Sequence, residues 1–374
     1  RVRKTFEPVT ILKYTATPSD NLEASATLLW RTGKNGYTAM DWYDAADPRP
    51  DYYRNLPSYY WMDNKDYGRL NFEKAAWAKD AWINDIPEYT HLNWDRLYNV
   101  NWNNYDADGL RRSKYAVEER RVDQNDINLN ASVKWMASKI FTLTGGVNYK
   151  WNRTEYYKKM DDLLGGDYYL NIDQFAERDF ASSPTMVQND LDYFLEHGEA
   201  KALKEGDKYG YDYYAHVRNA NVWANGALDL GGFKANLALE AGYAKFWREG
   251  LVRKGLFAGL DENGNEMMYE GKVLTTYDEK TGKAITSKGN SEVSDFLTYS
   301  AKLGLQYHFE GGHRIYANGA YFNDAPTFAQ SFISPRTRNS LVPNLTTVKT
   351  ASADLNYQYS NNGYNFRITG FWTN

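Results

Sequence analysis

No cysteine occurs in the 374 residues. Disulfides, thiolate catalysis and cysteine-held metals are therefore excluded. No apolar run approaches the roughly 18 residues that a membrane-crossing helix requires, and the mean hydropathy is −0.72. Basic excess is missing too. A net charge of −4 speaks against a nucleic-acid partner. The five histidines are scattered and form no triad. There is no His-Glu-x-x-His, no Walker loop and no dinucleotide fingerprint. His197-Gly198-Glu199 has the His-x-Glu of zinc deaminases without the cysteines that motif needs. No enzyme activity, cofactor or metal centre is expected.

What is present is one plan used five times: an alternating segment, a tight turn, and a second alternating segment. Ile127, Leu129, Ala131, Val133 and Trp135 are apolar, with Asn128, Asn130, Ser132 and Lys134 between them. After a turn near Ala137–Ile140 the pattern returns in Phe141, Leu143, Gly145, Val147, Tyr149 and Trp151, against Thr142, Thr144, Asn148 and Lys150. Successive strand side chains point to opposite faces, so one face is apolar and the other polar. Leu22–Trp30, Val222–Leu230, Phe233–Tyr243, Leu297–Phe309, Ala351–Tyr359 and Phe366–Trp372 read the same way. Val9–Ala16 is the least regular strand, and Pro8 suits a strand start. Glycine and asparagine at Gly231-Gly232, Gly311-Gly312 and Asn361-Asn362-Gly363 supply the positive φ of hairpin turns.

A soluble β-sandwich with one wet face is the competing architecture. The strands exceed its usual five or six residues. Aromatics gather near strand ends (Trp30, Trp135, Tyr149, Trp151, Tyr357, Tyr359, Trp372), as in interfacial girdles. The apolar faces are rich in Ala and Gly. Short turns at one end and long connections at the other complete the pattern of an all-β, transmembrane antiparallel β-barrel with about ten strands. The whole chain, 1–374, is expected to be part of one barrel domain in the outer membrane of a Gram-negative bacterium, with the lipid bilayer as a partner. Pro18–Asn21 and the four turns above are expected to be periplasmic. Leu129, Val133, Leu143, Val147, Leu237, Leu303 and Leu355 should face lipid; Asn130, Lys134, Asn148, Asn236, Lys302 and Asn356 should face the lumen.

Four long connections, about 32–125, 152–215, 245–294 and 322–348, are expected to be extracellular loops. Connections this long inside a compact domain are usually functional. The first is rich in rings: Tyr52, Tyr53, Trp61, Trp94 and Trp102 are the candidate ligand-binding residues, since aromatic faces offer large contact area. The alternative is that these rings pack on each other and shape the loop. A helix is predicted over Gly68–Asn84, with Leu70, Ala75, Trp77, Ala81 and Trp82 available for one face, and another near Leu191–Leu203. Asp261–Asn265 reads as the turn of an extra hairpin between Gly255–Phe257 and Met267–Tyr269. Asp161, Asp162, Asp167, Asp173, Glu177 and Asp179 either bind calcium or form a solvated acidic surface. Arg336 and Arg338 either engage ligand carboxylates or pin a loop beside Pro335 by pairing with acids.

Trp42-Tyr43-Asp44-Ala45-Ala46-Asp47-Pro48-Arg49-Pro50-Asp51-Tyr52-Tyr53-Arg54 resembles segments of the large TonB-dependent receptors of Bacteroidota outer membranes. Met160–Tyr169, Asp173–Phe180 and Ser334-Pro335-Arg336-Thr337-Arg338-Asn339 are similar to the subgroup with a carboxypeptidase-regulatory-like N-terminal domain. The resemblance implies a plugged barrel of about 22 strands. It also implies uptake of a large or scarce nutrient (oligosaccharide, peptide or chelate), energised through the inner-membrane TonB complex, and in some members a surface lipoprotein. Plug, TonB box and N-terminal domain are not among these residues, so the chain is expected to be a segment of barrel wall and ligand vestibule, with its first and last strands paired outside it. The alternative function is a surface adhesin whose loops bind a protein partner.

Overall fold

The computed structural model describes residues 1–61 and 70–374. Ten long strands follow one another: Val9–Ser19, Leu22–Trp42, Tyr115–Met136, Phe141–Asp162, Lys208–Asp229, Phe233–Gly250, Ser294–Phe309, His313–Asp324, Val348–Asn361 and Tyr364–Thr373. Each is antiparallel to the next. A short strand, Arg3–Phe6, pairs further along the same edge of Leu22–Trp42. Pro8, which has no N–H to give a ladder, lies in the break between it and Val9. The first and last long strands are the sheet's edges and do not pair with each other. The architecture is all-β and antiparallel with ten long strands, as expected.

Register explains why two faces of opposite character result. Across eight strands, Leu22, Trp135, Leu143, Gly226, Leu237, Leu303, Gly319 and Ala353 stand in one row. Leu129, Val133, Leu143, Val147, Leu237, Leu303 and Leu355 are all exposed on this face. About nine to eleven residues of tilted strand, at about 3.3 Å each, span the apolar band of the membrane. On the other face polar side chains join strand to strand. Asn130 bonds Asn148, Asn148 Nδ2 donates to Asn221 Oδ1 at 2.7 Å, and Asn221 Nδ2 donates to Glu240 Oε1 at 3.0 Å. A buried Asp126 receives Arg31 and Asn152 nearby. The polar groups of the inward face thus satisfy one another.

The strands run well past this band. Tyr115–Met136 and Phe141–Asp162 have 22 residues each, about twice what a membrane-spanning strand needs. Their outer halves, and the described residues of the connections 43–114, 163–207, 251–293 and 325–347, build a second layer beyond the apolar band. The hydrophobic core sits there, in Tyr43, Ala116, Met160, Leu163, Tyr169, Leu203 and Tyr209, with a second cluster of Leu97, Tyr115 and Leu164. Buried Asn101 ties the helix Trp94–Trp102 to this layer. Its Nδ2 donates to the carbonyls of Tyr115, Leu163 and Leu164, and its Oδ1 accepts from the N–H of Lys114 and Tyr115.

Several local readings are corrected. Gly68 lies outside the described residues; the helix there runs Phe72–Ile83, capped by Asn71. Its buried face is Ala75, Ala78 and Ala81, while Trp77 is half exposed and packs edge-on against Tyr89. The second helix stops at His197, because Gly198 takes φ 77° and turns the chain. In the third connection Asp261–Gly264 does turn, but the regular hairpin is Met268–Tyr269 with Lys272–Val273. Gly231, Gly311 and Gly312 have the positive φ expected of them. No residue of Asn361–Gly363 does, so that turn closes without left-handed backbone.

Candidate functional site

The inward face of the extended strands gathers charge where the loop layer closes over it. Lys158 lies between two carboxylates, 2.8 Å from Asp41 and 2.9 Å from Glu118. The Tyr209 hydroxyl donates to Asp41 at 2.7 Å, and the Lys158 ammonium stands 4.1 Å over the Tyr209 ring. Arg120 pairs with Glu118 from its far side. Register shifts at Val117/Glu118 and at Tyr157/Lys158 set Lys158 opposite Tyr209. Such bulges re-aim side chains at strand ends.

Electrostatics follow from burial and contact. Burial favours the neutral acid at Asp41, but the Lys158 ammonium and its hydrogen bond, with that of Tyr209, outweigh it and hold the carboxyl below its usual value. Burial likewise opposes charge on Lys158, and Asp41 and Glu118 reverse the effect, raising it. Burial, then Asp41 and Glu118, push the Tyr209 phenol far up. The network is therefore a fixed set of charges, not a proton relay near neutral pH.

Asp41, Arg120, Lys158 and Tyr209 line one side of a cavity of about 220 Å³, with Glu118 behind them. Tyr43, Asp173, Asn189, Tyr211, Lys254 and Arg336 line the rest. Tyr43 donates to Glu177 at 2.7 Å. Lys254 donates to Asn189 at 2.6 Å and is 3.9 Å from Asp173. Arg336 lies over the Tyr211 ring at 5.1 Å. The cavity offers cations, carboxylates and phenols side by side, with no nucleophile next to a base. Wider grooves, about 520 and 360 Å³, lie on the outward apolar face among residues such as Leu22, Val133, Trp135 and Val147. Their lining is mainly apolar, with Ser19 and Asn21 at the turn end, which suits acyl chains.

Lys254 carries a pH prediction. Burial brings its ammonium down to about 8; Asp173 partly offsets this, and Lys158 and Arg248 add to it. The folded value lies below the unfolded one of about 10.4. Below pH 8 the lysine is charged in both states and the burial penalty is complete. Between about 8 and 10.4 only the folded form releases the proton, so stability rises with pH. Lys254→Met is expected to stabilise the folded protein by roughly 3 kcal/mol at pH 7, with the gain fading across that window. Thermal unfolding of both proteins at pH 7, 9 and 10.5 checks it; a gain independent of pH would refute the assignment.

Of the residues singled out in the sequence, Arg336 and Asp173 reach this cavity. Arg338 sits over Phe257 at 5.2 Å. Neither arginine has an acidic partner within ion-pair distance among the described residues, so pinning by acids is not what holds them. Tyr52, Tyr53, Tyr59 and Tyr60 form a chain of edge-on rings with centroids 4.7 to 5.6 Å apart. Trp61, Trp94 and Trp102 are exposed elsewhere on the first connection, Trp102 against Tyr98. None of the five aromatic candidates lines the cavity. The acidic cluster is dispersed: Asp161 faces Lys4, Asp167 pairs with Arg111, Asp173 caps a helix, Glu177 receives Tyr43 and Asp179 pairs with Arg178. Among the described residues no group of three or more acids or histidines is placed to hold a metal. Asp41, Glu118, Arg120, Lys158 and Tyr209 were missed. The first four continue the polar phase of their strands; Tyr209 lies beyond a register shift.

No family model and no curated protein matches the sequence. Solved structures do resemble the fold. A copper transporter, OprC, superposes with a TM-score of 0.51 at 10% identity, over 98% of this chain and 38% of its own. The ferric-catecholate import receptor Fiu of E. coli K12 gives 0.48 at 10% identity, over 99% and 41%. The ferric citrate transporter FecA gives 0.46 at 9%, over 99% and 34%. The chain thus spans well under half the length of these proteins. Its fold is that of an outer-membrane β-barrel.

Proposed function

We propose that this chain is wall and vestibule of an outer-membrane receptor that takes up a large or scarce solute, and that the cavity beneath the loops is a ligand contact. The observation that carries this reading is continuity. On the first strands the polar inward face extends from the Asn130–Asn148–Asn221–Glu240 ladder through Asp126, Asn152, Gln124 and Thr154 toward the Lys158 cavity, with Val122 and Tyr156 interposed. A solute held at the cavity would meet a polar wall below it. The long connections lie outside the cell on this reading, and the short turns in the periplasm. Energy comes from the inner membrane through TonB, acting on a plug; a surface lipoprotein is a further partner. The ligand leaves chemically unchanged. No single substrate is assigned, because the cavity offers cations, carboxylates and phenols together.

A second reading, an adhesin, draws on the exposed rings of Tyr53, Trp61, Trp94 and Trp102. Uptake of candidate solutes by cells expressing the full-length protein, with and without the inner-membrane energy source, separates the readings. Energy-dependent uptake supports the receptor. Uptake undiminished without energy means a passive pore. Binding of a surface protein with no solute transported favours adhesion.

A further inference from the structure

Just above the apolar band, the outward face places two cations directly opposite each other. Trp151, Arg218, Lys245 and Asp295 stand in one row on four neighbouring strands. Like charges directly opposite across a ladder destabilise a sheet. Here no acid among the described residues lies within ion-pair distance of Arg218, Lys245 or the nearby Arg153. The acid on the row, Asp295, accepts from the Tyr243 hydroxyl at 3.0 Å. The acids higher on this face are engaged elsewhere: Glu249 is hydrogen-bonded to His216, and Glu155 and Asp212 share Lys208. The Arg218 guanidinium is held between two indoles, 4.6 Å from Trp151 and 5.3 Å from Trp247. It donates to the carbonyls of Asn152 and Val217, so it is positioned by groups that leave its charge uncompensated.

These side chains form a cavity of about 270 Å³ lined by Tyr149, Arg218, Tyr243, Lys245 and Trp247. The next row toward the turns is Leu129, Tyr149, Ala220, Tyr243 and Leu297, the upper margin of the apolar band. One row is about 7 Å of strand. A molecule with its chains on the band therefore has its headgroup at the level of the two cations. Arginine binds phosphate oxygens in bidentate fashion, and an indole or phenol at this level suits the border of a bilayer.

We propose that Arg218 and Lys245, assisted by Arg153, bind a phosphate of a membrane lipid whose acyl chains lie on the apolar band beneath. The site is separate from the inward cavity and stands whether or not that cavity binds a transported solute.

The test uses the full-length protein in phosphatidylcholine nanodiscs doped with diphosphoryl lipid A, with retained lipid A measured by native mass spectrometry. Each cation near a membrane surface contributes about fivefold to the affinity for anionic lipid. Arg218→Gln with Lys245→Gln is expected to bind about thirtyfold more weakly. Arg218→Lys should keep most of the binding, and Lys302→Gln, on the inward face, should keep all of it. Circular dichroism and heat-dependent gel mobility show that each variant is folded. Unchanged binding in the double variant, or equal retention of lipid A stripped of its phosphates, would overturn the proposal. So would binding of inorganic phosphate through Arg218 and Lys245 without binding of lipid A.

Discussion

Lys158→Met is expected to destabilise the layer beyond the membrane by about 3–5 kcal/mol, the usual effect of removing one partner from a buried ion pair. The lysine is 17% exposed, Asp41 16% and Glu118 1%. Without the ammonium, Asp41 retains the Tyr209 hydroxyl and the Trp42 N–H, while Glu118 retains Arg120. Two carboxylates that shared one cation would then face each other in a nearly closed space. The loss should be local, because the ladders below do not depend on this charge. Hydrogen exchange at residues 41–43 and 209–211 should accelerate while exchange at 129–133 and 143–147 stays slow. A second variant, Lys158→Met with Asp41→Asn, should recover much of the protection by removing one of the stranded charges. If protection around Asp41 and Tyr209 is unchanged in the single variant, the network is not what holds this layer.

The barrel wall was legible because its information is local and repeated. A strand with one face toward lipid must alternate, and the tight turns declare themselves through Gly231 and Gly311-Gly312. The outer layer was less legible. Asp41, Glu118 and Lys158 lie in the same phase as Arg31, Asn130 and Asn148, so extending the alternation beyond the apolar residues would have found them. The apolar side of the alternation ends at about residues 32 and 125, although the ladders continue to Trp42 and from Tyr115. Tyr209 keeps the phase of Asn221, but its partner does not follow from counting, since Gly210 and Tyr211 bulge out before Asp212. Lys254 and Asn189 belong to irregular segments brought together by the fold, and nothing in their spacing marks them as neighbours. Aromatic residues are numerous in the first connection, but their positions relative to the cavity are a matter of tertiary structure.

The two faces of the wall predict opposite responses to the same charge. Val147 is half exposed in the middle of the apolar band, flanked in register by Ala131 and Val222. Val147→Arg should cost about 2–4 kcal/mol, the penalty for a guanidinium on the lipid face near the bilayer midplane. Thr144, three residues away, lies on the inward face between Lys134 and Asn225. Thr144→Arg should cost less than about 1 kcal/mol, most of it repulsion from Lys134. The reason for the contrast is register. A slip of one residue would exchange the faces and would break the 2.7 Å bond from Asn148 to Asn221, so the polar ladder and the apolar rows hold the same alignment. Folding of the full-length protein into phosphatidylcholine vesicles, followed across a urea gradient, measures both variants. Equal destabilisation at Val147 and Thr144, or a larger loss at Thr144, would mean that the rows containing Leu143 and Leu237 do not face lipid.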